Sequence, residues 1–146
     1  EEAYANGCKQ VCFLDDVTAS HIEELGGMNV FVVRADGSVV TPRLSGTILE
    51  GCTRSAIIEL LKSEGTSVSE VDLTLSGLLD DVRSGKVTEI FACGTAAVVT
   101  PIGALKGKDF EVRLEAGPVT NHIHQRLTGI QFGKVEDEFG WMYRLA

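Results

Sequence analysis

The segment MNVFVVRADGSVVTPRL constrains the fold more than any other part of the chain. Two runs of β-branched residues lie on either side of Asp36-Gly37, and an Asp-Gly pair in that position is a strong signal for an antiparallel hairpin. Elsewhere, strand-like apolar runs alternate with segments of helical periodicity. A hairpin within this alternation favours a mixed sheet with packed helices over a purely parallel sheet. We therefore predict an α+β fold in one compact domain, residues 1–146.

Three longer segments carry helix signals. TRSAIIELLKSEG has Thr53 as its candidate N-cap, Gly65 as its stop, and apolar residues at helical spacing between them. TLSGLLDDVRSGK places its apolar residues on one face, and GPVTNHIHQRLTGIQFG begins with Pro118, whose missing N–H costs nothing in a first turn. A short N-terminal helix is predicted to end at Asn6-Gly7. We expect the C-terminal segment DEFGWMYRLA, which holds the only Trp, to pack back onto the body.

Further strands are predicted outside the hairpin, in the segments KQVCFLDD, SVSEVDLTL, VTEIFAC, TAAVVTPIGALKG and KDFEVRL. The segment ASHIEELGGMNVF allows two interpretations. Two acids before a Gly pair are typical of a solvated bend, but either Glu23 or Glu24 could turn inward towards a cationic partner. A buried carboxylate needs such a partner, because an unpaired charge costs several kcal/mol inside a protein.

Charge and composition exclude several function classes. The net charge is -8, and the 13 Lys and Arg are scattered, so nucleic acid is not an expected partner. No apolar run reaches the ~18 residues of a membrane span, and we expect a cytoplasmic protein with no membrane partner. The four cysteines lack CxxC spacing and are predicted to be reduced, and the three histidines do not form a metal triad. No GxSxG, HExxH, P-loop or GxGxxG motif occurs.

Two short stretches could bind an anion. Gly51-Cys52-Thr53 precedes a predicted helix, and a helix start offers unpaired N–H groups with a partial positive charge. Gly94-Thr95 lies between two predicted strands, where glycine permits close backbone approach and threonine adds a hydroxyl. Taken alone, an ordinary helix cap and a tight turn remain the simpler explanations.

Four motifs in order, EELGGMNVF, TPRLSGTILEGCTR, EIFACGTAAVVTPI and LTGIQFG with FGWMYRL, resemble the C-terminal part of branched-chain amino acid aminotransferases. These are pyridoxal-phosphate enzymes of fold type IV, and the likeness runs along essentially the whole chain. GMNVF and GWMYRL are more similar to branched-chain enzymes than to D-amino acid aminotransferases or aminodeoxychorismate lyases. The resemblance implies the pyridoxal-phosphate-binding domain of the D-amino acid aminotransferase-like fold, a mixed sheet or pseudo-barrel with packed helices.

The resemblance also implies roles for individual residues. Glu24 would bind the pyridine nitrogen and keep it protonated, so that Glu23 points the other way. Leu49 would pack on the pyridine face. The amides of Thr95 and Ala96 would face the substrate carboxylate. The implied cofactor-binding set is Glu24, Leu49, Gly51, Cys52, Thr53, Gly94 and Thr95, and the implied substrate-binding pair is Thr95 and Ala96.

The implied activity is transamination of L-leucine, isoleucine or valine with 2-oxoglutarate by a homodimer. The family's Schiff-base lysine precedes the region matched here, and no lysine of this chain matches it. We therefore expect a C-terminal part that needs an N-terminal part for turnover. Two alternatives stay open: a non-catalytic binding module of the same fold, or a sister activity, either D-amino acid transamination or aminodeoxychorismate lyase chemistry.

Overall fold

The computed structural model describes residues 1–145, which contain four helices and nine strands. In chain order these elements are α1 (Glu2–Ala5), β1 (Cys12–Leu14), β2 (Ile22–Leu25), β3 (Asn29–Arg34), β4 (Val39–Pro42), α2 (Cys52–Ser63), β5 (Val68–Val71), α3 (Leu75–Arg83), β6 (Val87–Gly94), β7 (Val98–Pro101), β8 (Ala104–Lys106), β9 (Glu111–Arg113) and α4 (Pro118–Gln131).

The main sheet has five strands in the order β5-β4-β3-β6-β7. β4 and β5 run parallel, whereas the other neighbouring pairs are antiparallel. The predicted hairpin is β3-β4, and the Asp36 carboxylate accepts a 2.8 Å hydrogen bond from the Ser38 N–H in its turn. Two ribbons, β1-β2 and β8-β9, flank the main sheet. The α+β class with a mixed sheet and packed helices is confirmed.

Strand β3 divides the hydrophobic interior into two cores. Phe31 and Val33 join the core that holds α2 and α4, and the ring of Phe31 stacks on Phe91 at 5.1 Å between centroids. Val30 and Val32 join the core that holds α3 and the β1-β2 ribbon. Because both faces of this strand are covered, it is a continuous apolar run rather than an alternating one. The sheet therefore gives α2 and the end of β6 a rigid support.

Helix α2 begins differently from the prediction. Thr53 is not its N-cap, because the helix starts at Cys52 and Gly51 occupies the cap position with φ +60° and ψ 121°. A left-handed φ favours glycine, so the entry into the helix is set by Gly51 and not by a side-chain cap. Gly65 ends the helix with φ +78°, as expected.

The interpretations of two further segments also need correction. The segment HIEELGG is not a solvated bend: Ile22–Leu25 forms β2 and pairs with β1, followed by a turn at Gly26 and Gly27. The segment TAAVVTPIGALKG is not one strand, since it divides into β7 and β8 after Pro101. The Ile102 N–H still donates to the Ile90 carbonyl of β6 at 2.8 Å, and the chain leaves the main sheet after that bond. Pro101 is tolerated beside it because β7 is an edge strand.

Glu89 attaches α4 to the centre of the sheet. Its side chain is 3% exposed, and its carboxylate accepts hydrogen bonds from the N–H groups of Thr120 at 2.8 Å and Val119 at 3.3 Å. These N–H groups belong to the first turn of α4, where the helix itself offers them no acceptor. Gly117 lies so close to this carboxylate that any Cβ there would overlap it. The start of α4 is thus fixed by a buried acid on β6.

Candidate functional site

A cavity of about 690 Å³ lies where the start of α2, the β6–β7 turn, the end of α4 and the C-terminal segment meet. Its lining includes both predicted anion-binding stretches, Gly51 to Thr53 on one side and Thr95 on the other. These residues are more than 40 positions apart in the sequence. The fold therefore brings together two motifs that were separate in the sequence.

The start of α2 offers the cavity backbone donors. Gly51 has no side chain to cap them, and the first turn carries no acidic residue. The first N–H groups of a helix lack intrahelical acceptors and carry a partial positive charge. Cys52 and Thr53 add a thiol and a hydroxyl beside these donors. This is a suitable arrangement for binding an oxyanion.

The opposite wall is the turn between β6 and β7. β6 ends at Gly94, which pairs with Val98 across the exposed turn residues Thr95, Ala96 and Ala97. Val98 has φ +55°, an uncommon conformation for a β-branched residue. Such a conformation costs on the order of 1 to 2 kcal/mol, and strained residues are enriched at binding and catalytic sites. The strain therefore agrees with a functional role for this turn.

Two residues that the sequence analysis did not single out support the start of α2. The Asn29 side chain donates a 2.8 Å hydrogen bond from Nδ2 to the Leu49 carbonyl. Arg54 is 3% exposed, and its Nη2 donates to the Pro42 carbonyl at 3.0 Å and to Glu70 Oε1 at 2.5 Å. A polar residue in the apolar run of β3 was the available signal for Asn29. The signal for Arg54 was weaker, because arginine is common on exposed helix faces.

The remaining predicted site residues lie outside the lining of this cavity. Glu24 is half-buried on β2, and Leu49 is 70% exposed. Gly94 and Ala96 belong to the β6–β7 turn but do not line the cavity. Glu23 accepts a 2.6 Å hydrogen bond from the Thr47 hydroxyl. Because neighbouring residues of a strand point to opposite faces, the side chain of Glu24 points away from that bond. The role of Glu24 stays a prediction.

Part of the cavity lining comes from α4 and the C-terminal segment. Trp141 lines the cavity, stacks on Phe139 at 4.2 Å between ring centroids, and donates from Nε1 to Glu59 at 3.3 Å. Backbone N–H donors of the segment, Met142 first, lower the pKa of Asp137 from its ordinary value. The expected return of the C-terminal segment is confirmed for Trp141. Trp141 and Met142 thus add apolar surface to the lining of the cavity.

The cysteines differ in their surroundings. Cys52 is exposed at the cavity, whereas burial raises the pKa of Cys12 to about 11 and that of Cys93 to about 12. Within residues 1–145, no group of three or more His, Cys, Asp or Glu is placed to hold a metal ion. In the same range, no helix has the length and apolar character needed to cross a membrane.

Comparison with known proteins identifies the family. The model of the amino-transferase class IV family matches residues 1–105. The chain belongs to this family. It is 43% identical over 151 residues to the branched-chain-amino-acid aminotransferase of Mycobacterium tuberculosis, covering 99% of this chain and 41% of that protein. It is 42% identical over 148 residues to a probable branched-chain-amino-acid aminotransferase of Streptomyces coelicolor, again covering 99% and 41%.

Solved structures of class IV aminotransferases share the fold. The branched-chain amino acid aminotransferase of Escherichia coli has a TM-score of 0.82 at 34% identity and covers 98% of this chain. The T.th. branched-chain enzyme, complexed with N-(5'-phosphopyridoxyl)-L-glutamate, has a TM-score of 0.81 at 30% identity and covers 97%. The chain spans 45% and 44% of those two structures. The resemblance to branched-chain aminotransferases of fold type IV is confirmed, for a chain that is less than half their length.

Proposed function

We propose that this chain is the C-terminal pyridoxal-phosphate-binding domain of a branched-chain amino acid aminotransferase. The reaction would transfer the amino group of L-leucine, isoleucine or valine to 2-oxoglutarate. The observation that carries the proposal is the single cavity lined by Gly51, Cys52, Thr53 and Thr95 in a member of the class IV family. The names of its relatives, and the phosphopyridoxyl compound in one similar structure, support it.

The residues of the cavity fit a cofactor phosphate. The amides at the start of α2 would bind its oxygens, together with the hydroxyls of Thr53 and Thr95. Two acids, Glu50 and Glu59, also line the cavity, so the backbone donors must outweigh their repulsion of an anion. The buried guanidinium of Arg54, in the first turn of α2, is paired with Glu70 at 2.5 Å, so it supports the start of the helix without adding a free positive charge behind the donors. Binding would depend mainly on neutral donors held rigidly.

Glu24 and the β6–β7 turn would supply the remaining functions of this chain. Glu24 would hold a proton on the cofactor's ring nitrogen. When bound, the cofactor supplies a protonated ring that takes up electrons as the substrate α-proton leaves. The amides of Thr95 and Ala96 would orient the substrate carboxylate. Discrimination among the three substrates would be modest, since one methylene is worth about 1 to 3 kcal/mol in an apolar pocket.

Turnover would require the longer polypeptide, by which we mean this chain together with the N-terminal part that carries the lysine. A homodimer of the longer polypeptide is part of the proposal. The test is transamination by the longer polypeptide of L-leucine, compared with D-alanine, in the presence of 2-oxoglutarate. We expect activity with L-leucine, a visible absorbance band that borohydride removes, and no turnover by residues 1–146 alone.

Glu24→Gln provides the matched test of the site. The substitution keeps the size of the side chain and removes its charge, so we expect a large fall in kcat with a small change in melting temperature. Activity with D-alanine instead of L-leucine would replace the proposal with a sister activity. Absence of pyridoxal-phosphate binding, with Glu24→Gln and Thr95→Val both without effect, would favour a non-catalytic module.

A further inference from the structure

Asn29 lies between the two turns that form the anion site. It is the first residue of β3 and is 7% exposed. Its backbone pairs with Cys93 on β6, and Gly94 and Thr95 follow directly after that residue. The backbone of Asn29 is therefore paired with β6 directly before the turn that carries Thr95.

The side chain of Asn29 reaches the other turn. Nδ2 donates a 2.8 Å hydrogen bond to the carbonyl of Leu49, two residues before the cap of α2. Oδ1 lies against Gly51, so closely that a Cβ on that glycine would overlap it. Gly51 also has a left-handed φ of +60°. Because glycine adopts positive and negative φ about equally readily, neighbouring contacts must fix the backbone that enters α2. The amide side chain therefore holds the backbone that enters the helix.

We propose that Asn29 is a positioning residue of the anion site, which holds the Leu49–Gly51 turn in register with the turn of Thr95. The inference rests on the proposed function, in which both turns bind the cofactor phosphate. A buried amide is suited to this task because it fixes both a donor and an acceptor direction. Removing it leaves the Leu49 carbonyl without this donor and frees the α2 donors to move relative to Thr95.

The test compares two probes in the longer polypeptide, pyridoxal phosphate and pyridoxal, which lacks the phosphate. The dissociation constant of pyridoxal divided by that of pyridoxal phosphate isolates the contribution of the phosphate from that of the ring. We expect Asn29→Ser, which removes the Nδ2 donor without adding a charge, to reduce this ratio about tenfold or more, a change equal to about 1.4 kcal/mol. Asn29→Ala, which is also uncharged, should reduce it similarly, and it serves if Asn29→Ser does not fold.

Thr41→Val is the matched control. Thr41 is 1% exposed on β4, and its Oγ1 donates a 2.7 Å hydrogen bond to the Val30 carbonyl on β3. The variant removes a buried hydrogen bond of similar length to β3, the strand of Asn29, without removing a contact to either turn. Its melting temperature should fall while the ratio of dissociation constants stays at the wild-type value.

Several outcomes decide the matter. An unchanged ratio in both Asn29 variants would overturn the proposal, as would an equal reduction in Thr41→Val, because the effect would then be general loss of stability. If the wild-type polypeptide itself bound pyridoxal phosphate no more tightly than pyridoxal, the phosphate site would be refuted, and with it both the proposed function and the role of Asn29. Wild-type preference for the phosphate, lost only in the Asn29 variants, would support both.

Discussion

The buried Glu89 carboxylate gives the sharpest prediction for stability. Glu89→Gln keeps one oxygen for the 2.8 Å bond from the Thr120 N–H, but it removes the charge and turns an NH₂ group towards the donor of Val119. Loss of one charge-assisted bond and of the favourable interaction with the helix dipole should destabilise the protein by about 1 to 2 kcal/mol. Glu89→Ala removes both bonds and leaves a cavity, which should cost about 3 to 5 kcal/mol.

The assay combines thermal unfolding of the longer polypeptide with hydrogen exchange. The shift in melting temperature is the change in stability divided by the entropy of unfolding, which grows with chain length. In a polypeptide more than twice the length of this chain each kcal/mol is worth about 1 to 2 °C, so Glu89→Ala should lower the melting temperature by roughly 5 °C. Amides of α4 should lose protection first, while those of α3 keep it, because the damage is local to the start of α4. Peptides from the two helices, Pro118–Gln131 and Leu75–Arg83, make the comparison within one sample.

Glu115→Gln is the control for this experiment. It removes the same charge two residues before the N-cap of α4, but from an exposed side chain. Exposed substitutions usually change stability by less than about 0.5 kcal/mol. If Glu89→Gln were as neutral as Glu115→Gln, or if α3 and α4 lost protection equally, the carboxylate would not act as the cap of α4.

Two further predictions concern the start of α2. Gly51→Ala should lower the melting temperature more than Gly133→Ala: both positions have left-handed φ values, +60° and +64°, but only at Gly51 would a Cβ meet a side-chain oxygen. Equal effects would reject a role for that contact. At pH 8, iodoacetamide should label Cys52 faster than Cys12 or Cys93, because burial raises the pKa values of those thiols to about 11 and about 12 and leaves little thiolate. Pyridoxal phosphate should slow labelling of Cys52, as measured by peptide mass mapping, and labelling unaffected by the cofactor would contradict the proposed site.

Local signals were sufficient for much of the fold. The Asp36-Gly37 hairpin and the body of α2 were predicted because their chemistry lies within a few residues. Strand β2 was missed because two acids and two glycines resemble a bend, and only its pairing with β1 gives it strand geometry. Propensity cannot reveal such pairing between distant segments.

The site was predicted less completely than the fold. Gly51 to Thr53 and Thr95 were found as motifs, but Thr53 was assigned as the cap because threonine is a good one, and the backbone of Gly51 took that position instead. Asn29 was missed because its partner Leu49 is 20 residues away. Glu89 was interpreted only as a strand residue, since its partners on α4 lie about 30 positions later. Such contacts depend on tertiary structure.

The position of Trp141 gives this chain an intrinsic optical probe. Indole emission responds to the polarity and electronic character of its neighbours, and the only indole of the chain lines the same cavity as the α2 donors. Its stacking on Phe139 and its bond to Glu59 limit its rotation, so changes in emission would reflect the contents of the cavity more than motion of the ring. In this chain, filling of the cavity can therefore be followed by fluorescence without an added label.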